Sequence, residues 1–223
     1  MGQPVTTAET PVTRPLSRKR RQTQERLLDA ALDVFAERGF HGASVEEVCE
    51  RAGFSRGAFY SNYSSKTELF IALYHRHSQR TMAALDTYGF PAATAAHQDL
   101  DSLVTETMTA VPHDRRWFLI NAEFTLHTVR NPAAAATFAA ARAKSRERFA
   151  QHLTELLERM DLELTVPAED VARWLFALKD GGVTQSYVEP DKLGPHDLTK
   201  QVTPLLLAAV TRPAKTWKTP SGS

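Results

Sequence analysis

At 223 residues the chain can bury a sizeable core, as one large domain or as two smaller ones. Hydrophobic residues at 42% and charged residues at 24% exclude wholesale disorder and fibrous repeats, and a net charge of +1 excludes a chain that is basic throughout. The single cysteine, Cys49, excludes an intrachain disulfide and a Cys-based zinc site built from one chain.

Residues 1–16 are rich in Thr, Pro and small residues with almost no apolar content, which predicts a disordered extension. They lack the apolar stretch of a secretory signal, and no run of about 18 apolar residues occurs, so a cytoplasmic protein with no membrane partner is expected. The near-neutral total hides a local excess: Arg14, Arg18, Lys19, Arg20, Arg21 and Arg26 stand against a single acid, Glu25. Alone, such a run is either a solvated tail or a basic arm, and its neighbours must decide.

A first helix is predicted from about Ser17 or Gln22 to Arg38, with Leu28, Ala31, Leu32 and Phe35 on one face and Gly39 ending it in a left-handed conformation. The second opens on "SVEE", a capping box in which the Ser44 hydroxyl accepts from the Glu47 amide and the Glu47 side chain returns to the Ser44 amide. Val45, Val48, Cys49 and Ala52 follow at helical spacing, which makes Cys49 a small core residue. Gly53 breaks this helix, Ser55 can cap the next, and a short third helix is predicted over Arg56 to Tyr63. A second capping box, "SKTE" from Ser65 to Glu68, opens a fourth helix that carries Leu69, Phe70, Leu73 and His77 on one side and runs to about Asp86.

Past Gly89 and Pro91 the pattern turns Ala-rich, and helices are predicted near 97–110, 114–130, 133–161, 168–188 and 196–210. Asn131 followed by Pro132 is a cap followed by a first-turn proline. The helix after it stripes Phe138, Ala141, Ser145, Phe149, Leu153, Leu156 and Met160 on one face. No strand-like alternation appears, so the fold class is all-α. The expected division is an extension at 1–16, a three-helix domain at 17–66, a larger helical domain at 67–211 and a flexible tail at 212–223.

A capped helix, a tight turn at Gly53 and a second short helix make a helix-turn-helix, whose second helix enters the major groove of double-stranded DNA by its amino-terminal residues. Arg56 can donate a bidentate pair to guanine, Ser55 can reach a base or phosphate, and Gly57 lets the backbone come close. Phe59 would face inward while Tyr60 and Asn62 reach phosphates. Lys66 sits in the first turn of a helix, where the dipole prefers an anion; a phosphate would resolve that, and Ser44 offers a second such terminus. Arg18, Lys19, Arg20 and Arg21 then become an arm that follows the backbone or enters the minor groove. Glu46 and Glu50 would have to face away from phosphate.

These residues also carry a resemblance. The run "TQERLLDAALDVFAERGFHGASVEEVCERAGFSRGAFYSNYSSKTELF" resembles the amino-terminal domain of TetR-type (TetR/AcrR) transcriptional regulators along its full length. Ala31, Phe35, Gly39 and Phe40, then Ala52 and Gly53, then Gly57, Tyr60, Lys66 and Leu69 stand at the family spacing, whereas Asn62 replaces a His common in the family. The resemblance implies a homodimeric repressor on a palindromic operator, with a carboxy-terminal helical domain that binds a small molecule and alters the spacing of the two heads. It also implies that the last two long helices pair with the partner subunit, through Val171, Trp174, Leu175 and Leu178 and through Leu198, Val202, Leu205 and Ala209.

Trp117, Phe118, Asn121, Phe124, His127, Phe149, Trp174 and Lys179 are candidates for lining the pocket, apolar with a few polar groups; aromatics at helical spacing also read as plain core. His75 and His77, two apart, cannot share a metal within one helix, and no cofactor is expected. Neither G-x-S-x-G nor His-Glu-x-x-His occurs, so nothing selects an enzyme. Two rivals stay open: a DNA-binding dimer without a ligand, and a helical adaptor that keeps the helix-turn-helix as scaffold.

Overall fold

In the computed structural model, residues 18–93, 100–110 and 113–214 are described, and the expected extension and the last residues of the tail lie outside them. The chain order is α1 (Arg18–Gly42), α2 (Val45–Ala52), α3 (Arg56–Tyr60), α4 (Lys66–Ala93), α5 (Leu100–Ala110), α6 (Arg115–Arg130), α7 (Pro132–Arg159), β1 (Leu162–Leu164), α8 (Ala168–Val188), α9 (Asp197–Val210) and β2 (Thr211–Pro213).

The local signals place the first helices closely. Ser44 and Glu47 form the complete capping box, and Gly53 closes α2 at φ 69° and ψ 38°. Ser55 caps α3 by accepting from the Ala58 amide at 3.2 Å. The box that opens α4 is displaced: Ser65 accepts from the Glu68 amide at 3.1 Å, but the Glu68 carboxylate returns to the amide and hydroxyl of Ser64, each at 2.6 Å. α3 stops at Tyr60 rather than Tyr63, and Tyr63 turns inward to 5% exposure.

Gly39 departs from the expected helix end. Its φ of 74° is on the left, but its ψ is 160°, a region that only glycine enters easily, and a further helical turn runs on to Gly42. Glu123 of α6 explains the bend: a Cβ on Gly39 would lie 2.6 Å from Glu123 Oε2, and the same oxygen accepts from the Phe40 amide at 2.6 Å. α4 also runs past its expected end, through Gly89 and Pro91 to Ala93. Asn131 caps α7 as read, and its Oδ1 accepts from the Ala134 amide.

Two strands escaped the sequence reading. Leu162–Leu164 and Thr211–Pro213 pair antiparallel, with Glu163 Oε1 accepting from Arg212 Nε at 2.6 Å, so Arg212 and Pro213 are ordered structure rather than tail. Three residues are too few to show alternation.

One core joins what the sequence divides. Leu27, Phe35, Phe40, Val48 and Phe59 share it with Leu69, Phe70 and Leu73 of α4 and with Ile120, Phe124 and Phe138 of α6 and α7. Phe124 is fully buried, stacked on Phe70 at 3.7 Å and edge-on to Phe40 at 4.8 Å and Phe138 at 5.1 Å. Buried Arg76 pins α4 to α1 through Asp29 at 2.7 Å and Glu25 at 3.2 Å. A separate core holds Leu153, Leu157, Val171, Leu175 and Leu207. Gly39→Ala should destabilise the chain by about 1–3 kcal/mol, from a strained φ and displacement of Glu123. A urea melt matching the parent would show that the Glu123 contact does not hold this bend.

Candidate nucleic-acid interface and inner cavity

α3 is held from behind by Phe59, which is fully buried, and it shows solvent the other side: Ser55, Arg56, Gly57 and Tyr60 are exposed. The Arg56 guanidinium lies 5.8 Å from the Tyr60 ring centroid and pairs with Glu46 Oε1 at 2.8 Å. Glu46 therefore does not face away as the sequence reading required; it neutralises the leading cation of α3. Both partners are solvated, so the pair contributes little and yields readily to a competing acceptor.

Arg18, Lys19, Arg20 and Arg21 are exposed on the first turn of α1. Arg20 donates to Asn62 Oδ1 at 3.3 Å and to the Ser61 carbonyl at 3.2 Å, which seats the basic start of α1 beside the end of α3. Asn62 is further engaged through Nδ2 to the Ala58 carbonyl at 2.8 Å. The Ser44 hydroxyl and Glu47 carboxylate are spent on each other.

Lys66 is turned inward. Its ammonium donates to the carbonyls of Ala43 at 2.7 Å and His41 at 3.3 Å and lies 4.8 Å above the Phe40 ring. Burial there pushes its pKa below the usual lysine value. The helix dipole disfavours a cation at the start of α4 but favours one at the last carbonyls of α1, and Lys66 serves the second.

Gly57 has no internal reason to be glycine. A Cβ would meet only Ser55 Oγ, at an ordinary 3.7 Å, and helical glycine costs about 1 kcal/mol relative to alanine.

The second site lies inside the carboxy-terminal helices. An apolar lobe of about 140 Å³, lined among others by Met82, Leu85, Met108, Phe149 and Phe176, adjoins a lobe of about 360 Å³ lined by Phe118, Thr125, Leu126 and Thr184. His77, Trp117, Asn121, Arg142, Lys179, Asp180 and His196 border both lobes. Trp117, Phe118, Asn121, Phe149 and Lys179 therefore come together as the sequence suggested. Three candidates do not: Phe124 is core between α1, α4 and α7, His127 packs on Phe40 and His41, and Trp174 is 42% exposed on the outside of α8. Helical spacing gave all eight as aromatic or polar positions without saying which way each helix turns.

Polar groups in the cavity stand out against its walls. Arg142 Nη2 donates to Asp180 Oδ2 at 2.8 Å, while burial pushes the Lys179 ammonium below its usual value despite Asp180 nearby. Asn121 Oδ1 and Thr203 Oγ1 are buried with no hydrogen-bond partner among the described residues. The sequence reading missed Arg142, Asp180, His196 and Thr203; polarity did not single out Arg142, which shares α7 with Lys144, Arg146, Glu147 and Arg148. Among the described residues no group of His, Cys, Asp or Glu could hold a metal, and no helix is long and apolar enough to cross a membrane.

A helix-turn-helix with an exposed basic leading edge, set on a helical body with an internal cavity, defines a DNA-binding regulator. Residues 27–73 match the model of the bacterial regulatory proteins of the tetR family, and residues 96–210 match that of the BetI-type transcriptional repressor carboxy-terminal domain. The chain belongs to the TetR family of transcriptional regulators, not to a family of enzymes. The activator FasR of Mycolicibacterium smegmatis is 31% identical over 99 residues, 44% of this chain and 45% of that one. The regulator UidR of Escherichia coli K12 is 36% identical over 61 residues, 27% of this chain and 31% of that one. The chain thus spans under half the length of these curated relatives. Among solved structures, GusR of Salmonella enterica aligns at a TM-score of 0.64 and 22% identity over 83% of this chain and 95% of that one. A regulator from Saccharomonospora viridis, solved in complex with choline, aligns at 0.59 and 14% identity over 86% and 99%. These two likenesses show the fold.

His77 stacks on Trp117 at 4.0 Å, and burial pushes its imidazole from 6.5 down to about 3. In the unfolded chain it regains its ordinary value, so between those pH values the unfolded state binds more protons. The stability contributed by neutral His77 is complete above about pH 6.5 and is lost as pH falls towards 3. Burial lowers His75, His152 and His196 as well, so they add to the slope. His77→Phe, which keeps a ring against Trp117, should make the fall in urea midpoint between about pH 6.5 and pH 4 shallower. An unchanged slope would assign the acid sensitivity to the other groups.

Proposed function

We propose that the chain is a cytoplasmic, homodimeric regulator that reads a palindromic operator with α3 and the basic start of α1, and that a small molecule in the inner cavity changes its operator affinity. Gly57 is the observation that carries the DNA-reading part. A glycine that weakens a five-residue helix, faces solvent and is required by nothing among the described residues makes sense as the place where an outside surface comes close. Arg56 and Tyr60 flank it with a bidentate donor and a phenol. Ser55, Asn62, Ser44 and Lys66 then act mainly by fixing the helices that present these groups, and Arg18, Lys19 and Arg21 supply phosphate attraction.

The likeness to a regulator solved with choline supports an effector, as does a cavity with unsatisfied polar groups. Repression is the reading favoured by the match to a repressor carboxy-terminal domain. Activation is the second reading, because FasR is an activator; a promoter reporter with and without the regulator separates the two by sign.

Dimerisation is supported by α8 and α9. Val171 and Leu175 are intrachain core and Leu198 packs on Gly182, so the partner face is narrower than the sequence reading had it. What remains is a stripe of Trp174, Gly181, Gln185 and Val188 on α8, edged by Leu178 where it packs on the intrachain core, beside Val202, Leu205 and Ala209 on α9. Leu205 is 70% exposed and Val188 is 74% exposed. Two heads joined this way would read half-sites about 34 to 36 Å apart.

Selection of sites from random DNA at stated salt should yield a palindrome. On that operator Gly57→Ala should hold or raise stability, by up to about 1 kcal/mol, yet weaken binding, and Arg56→Ala should cost about 1–3 kcal/mol of binding and relax one base position. Full operator affinity in both variants would sink the α3 reading.

Gly181 offers an independent test of the dimer. A Cβ there meets nothing within 4 Å in the protomer, so Gly181→Leu should leave the protomer folded, with a helix-propensity gain of about 1 kcal/mol. It should shift sedimentation from dimer to monomer and lower operator affinity. A dimer that persists in this variant places the subunit interface elsewhere.

A further inference from the structure

Of the two side-chain cations on the cavity wall among the described residues, Arg142 holds an ion pair, whereas Asp180 acts on Lys179 only as a nearby charge. The other cation there, Arg142, is paired with Asp180 at 2.8 Å, and that pair takes up the nearest carboxylate. The Lys179 ammonium has three donors to place, and burial outweighs the pull of Asp180 on its charge. Beside the Arg142–Asp180 pair, the polar waist holds neutral groups: His77, held uncharged by burial, Trp117, and Asn121 with its unsatisfied side-chain oxygen. On the inner side of this polar waist the wall is hydrocarbon and sulfur, from Met82, Leu85, Met108, Phe149, Leu175 and Phe176. A desolvated ammonium whose nearest carboxylate is already held by Arg142 is costly, and an unmet amide and hydroxyl in the same cavity add to the cost.

We propose that the effector of this regulator is an amphipathic monocarboxylate, with its carboxylate on Lys179 and Asn121 at the waist and its apolar body in the Met82–Phe149–Phe176 lobe. This rests on reading the cavity as an effector site and adds the effector's charge and polarity. The carboxylate supplies a counter-ion and accepts from the ammonium and, with the amide group turned over, from Asn121 Nδ2. Thr203 lines the apolar lobe with a buried, unsatisfied hydroxyl that a ligand oxygen or a bound water would satisfy. A ligand cation is rejected by the same ammonium, and a neutral alcohol of equal length keeps the apolar contacts but brings no charge to Lys179.

The test titrates the full-length protein with octanoate, octanol and octyltrimethylammonium, read by calorimetry and by tryptophan fluorescence, of which Trp117 is the contributor in the cavity wall. Octanoate should bind at least tenfold more tightly than octanol, and octyltrimethylammonium more weakly than either. Lys179→Met should bring octanoate to the octanol level while leaving octanol affinity within about twofold, and Lys179→Arg should keep part of the preference; circular dichroism melts confirm that both variants fold. The proposal is overturned if octanoate and octanol bind alike, if none of the three binds, or if the preference survives in Lys179→Met. Operator binding by the same preparations is measured separately. A protein that binds operator but shows no carboxylate preference refutes this inference alone, whereas one that prefers carboxylate but selects no operator refutes the regulator reading alone.

Discussion

Glu123 and Phe124, consecutive on α6, fasten the helix-turn-helix to the body behind it. The Glu123 carboxylate takes the Phe40 amide across 83 residues of sequence, a charge-assisted bond at 2.6 Å. Phe124 fills the centre of an aromatic cluster with Phe40, Phe70 and Phe138. Close-packed aromatics tolerate little relative movement, so α6 and the end of α1 move together or lose their contacts. Trp117, two turns earlier on the same helix, borders both lobes of the cavity and lies parallel to Phe70 at 6.1 Å. On the proposed reading, a ligand that displaces Trp117 bears on the residue row that sets the angle at Gly39.

Lys66 provides a second tie at the same place. It starts α4, the helix that carries Tyr74, His77 and Met82 into the cavity, and it holds the carbonyls where α1 ends. The bend at Gly39 is therefore gripped from α6 by an anion on an amide and from α4 by a cation on carbonyls. The polarities match the groups available: Gly39 interrupts the helix and exposes the Phe40 N–H, while the turn after Phe40 leaves carbonyls open.

What the sequence revealed follows from range. Ser44 with Glu47, Gly53, Ser55 and Asn131 with Pro132 act within three or four residues, and each stands in the structure where the spacing predicted. Lys66 was legible as an anomaly, a cation at a helix start, but not in its resolution, because the carbonyls it meets belong to another helix. Glu123 gave no signal at all, since an acid on a solvated-looking helix is ordinary until a distant amide arrives. The eight cavity candidates divided on tertiary position: Trp117 and Phe124, seven residues apart, lie on nearly the same face of α6, yet two turns of height send one to the cavity and the other to the centre of the shared core. The pairing of Leu162–Leu164 with Thr211–Pro213 depends on where α8 and α9 return the chain, which no three-residue pattern encodes.

Four glycines separate what a chain needs for itself from what it needs for others. At Gly39 a side chain is excluded twice, by the backbone angle and by Glu123, so the residue is explained within the protomer. At Gly182 a Cβ would come within 3.3 Å of Leu198, and close packing of α8 on α9 accounts for it. Gly57 and Gly181 meet nothing of this kind, although both lie in helices, where glycine is the weakest ordinary residue. The protomer gains nothing from either, and both sit on exposed or half-exposed faces next to large side chains, Arg56 and Tyr60 in one case and Trp174 and Leu178 in the other. A small residue beside large ones makes a notch, and a notch on an open surface is shaped for a surface that fits it. The two notches lie at opposite ends of the molecule's proposed work, one facing the DNA and one facing a second copy of the chain.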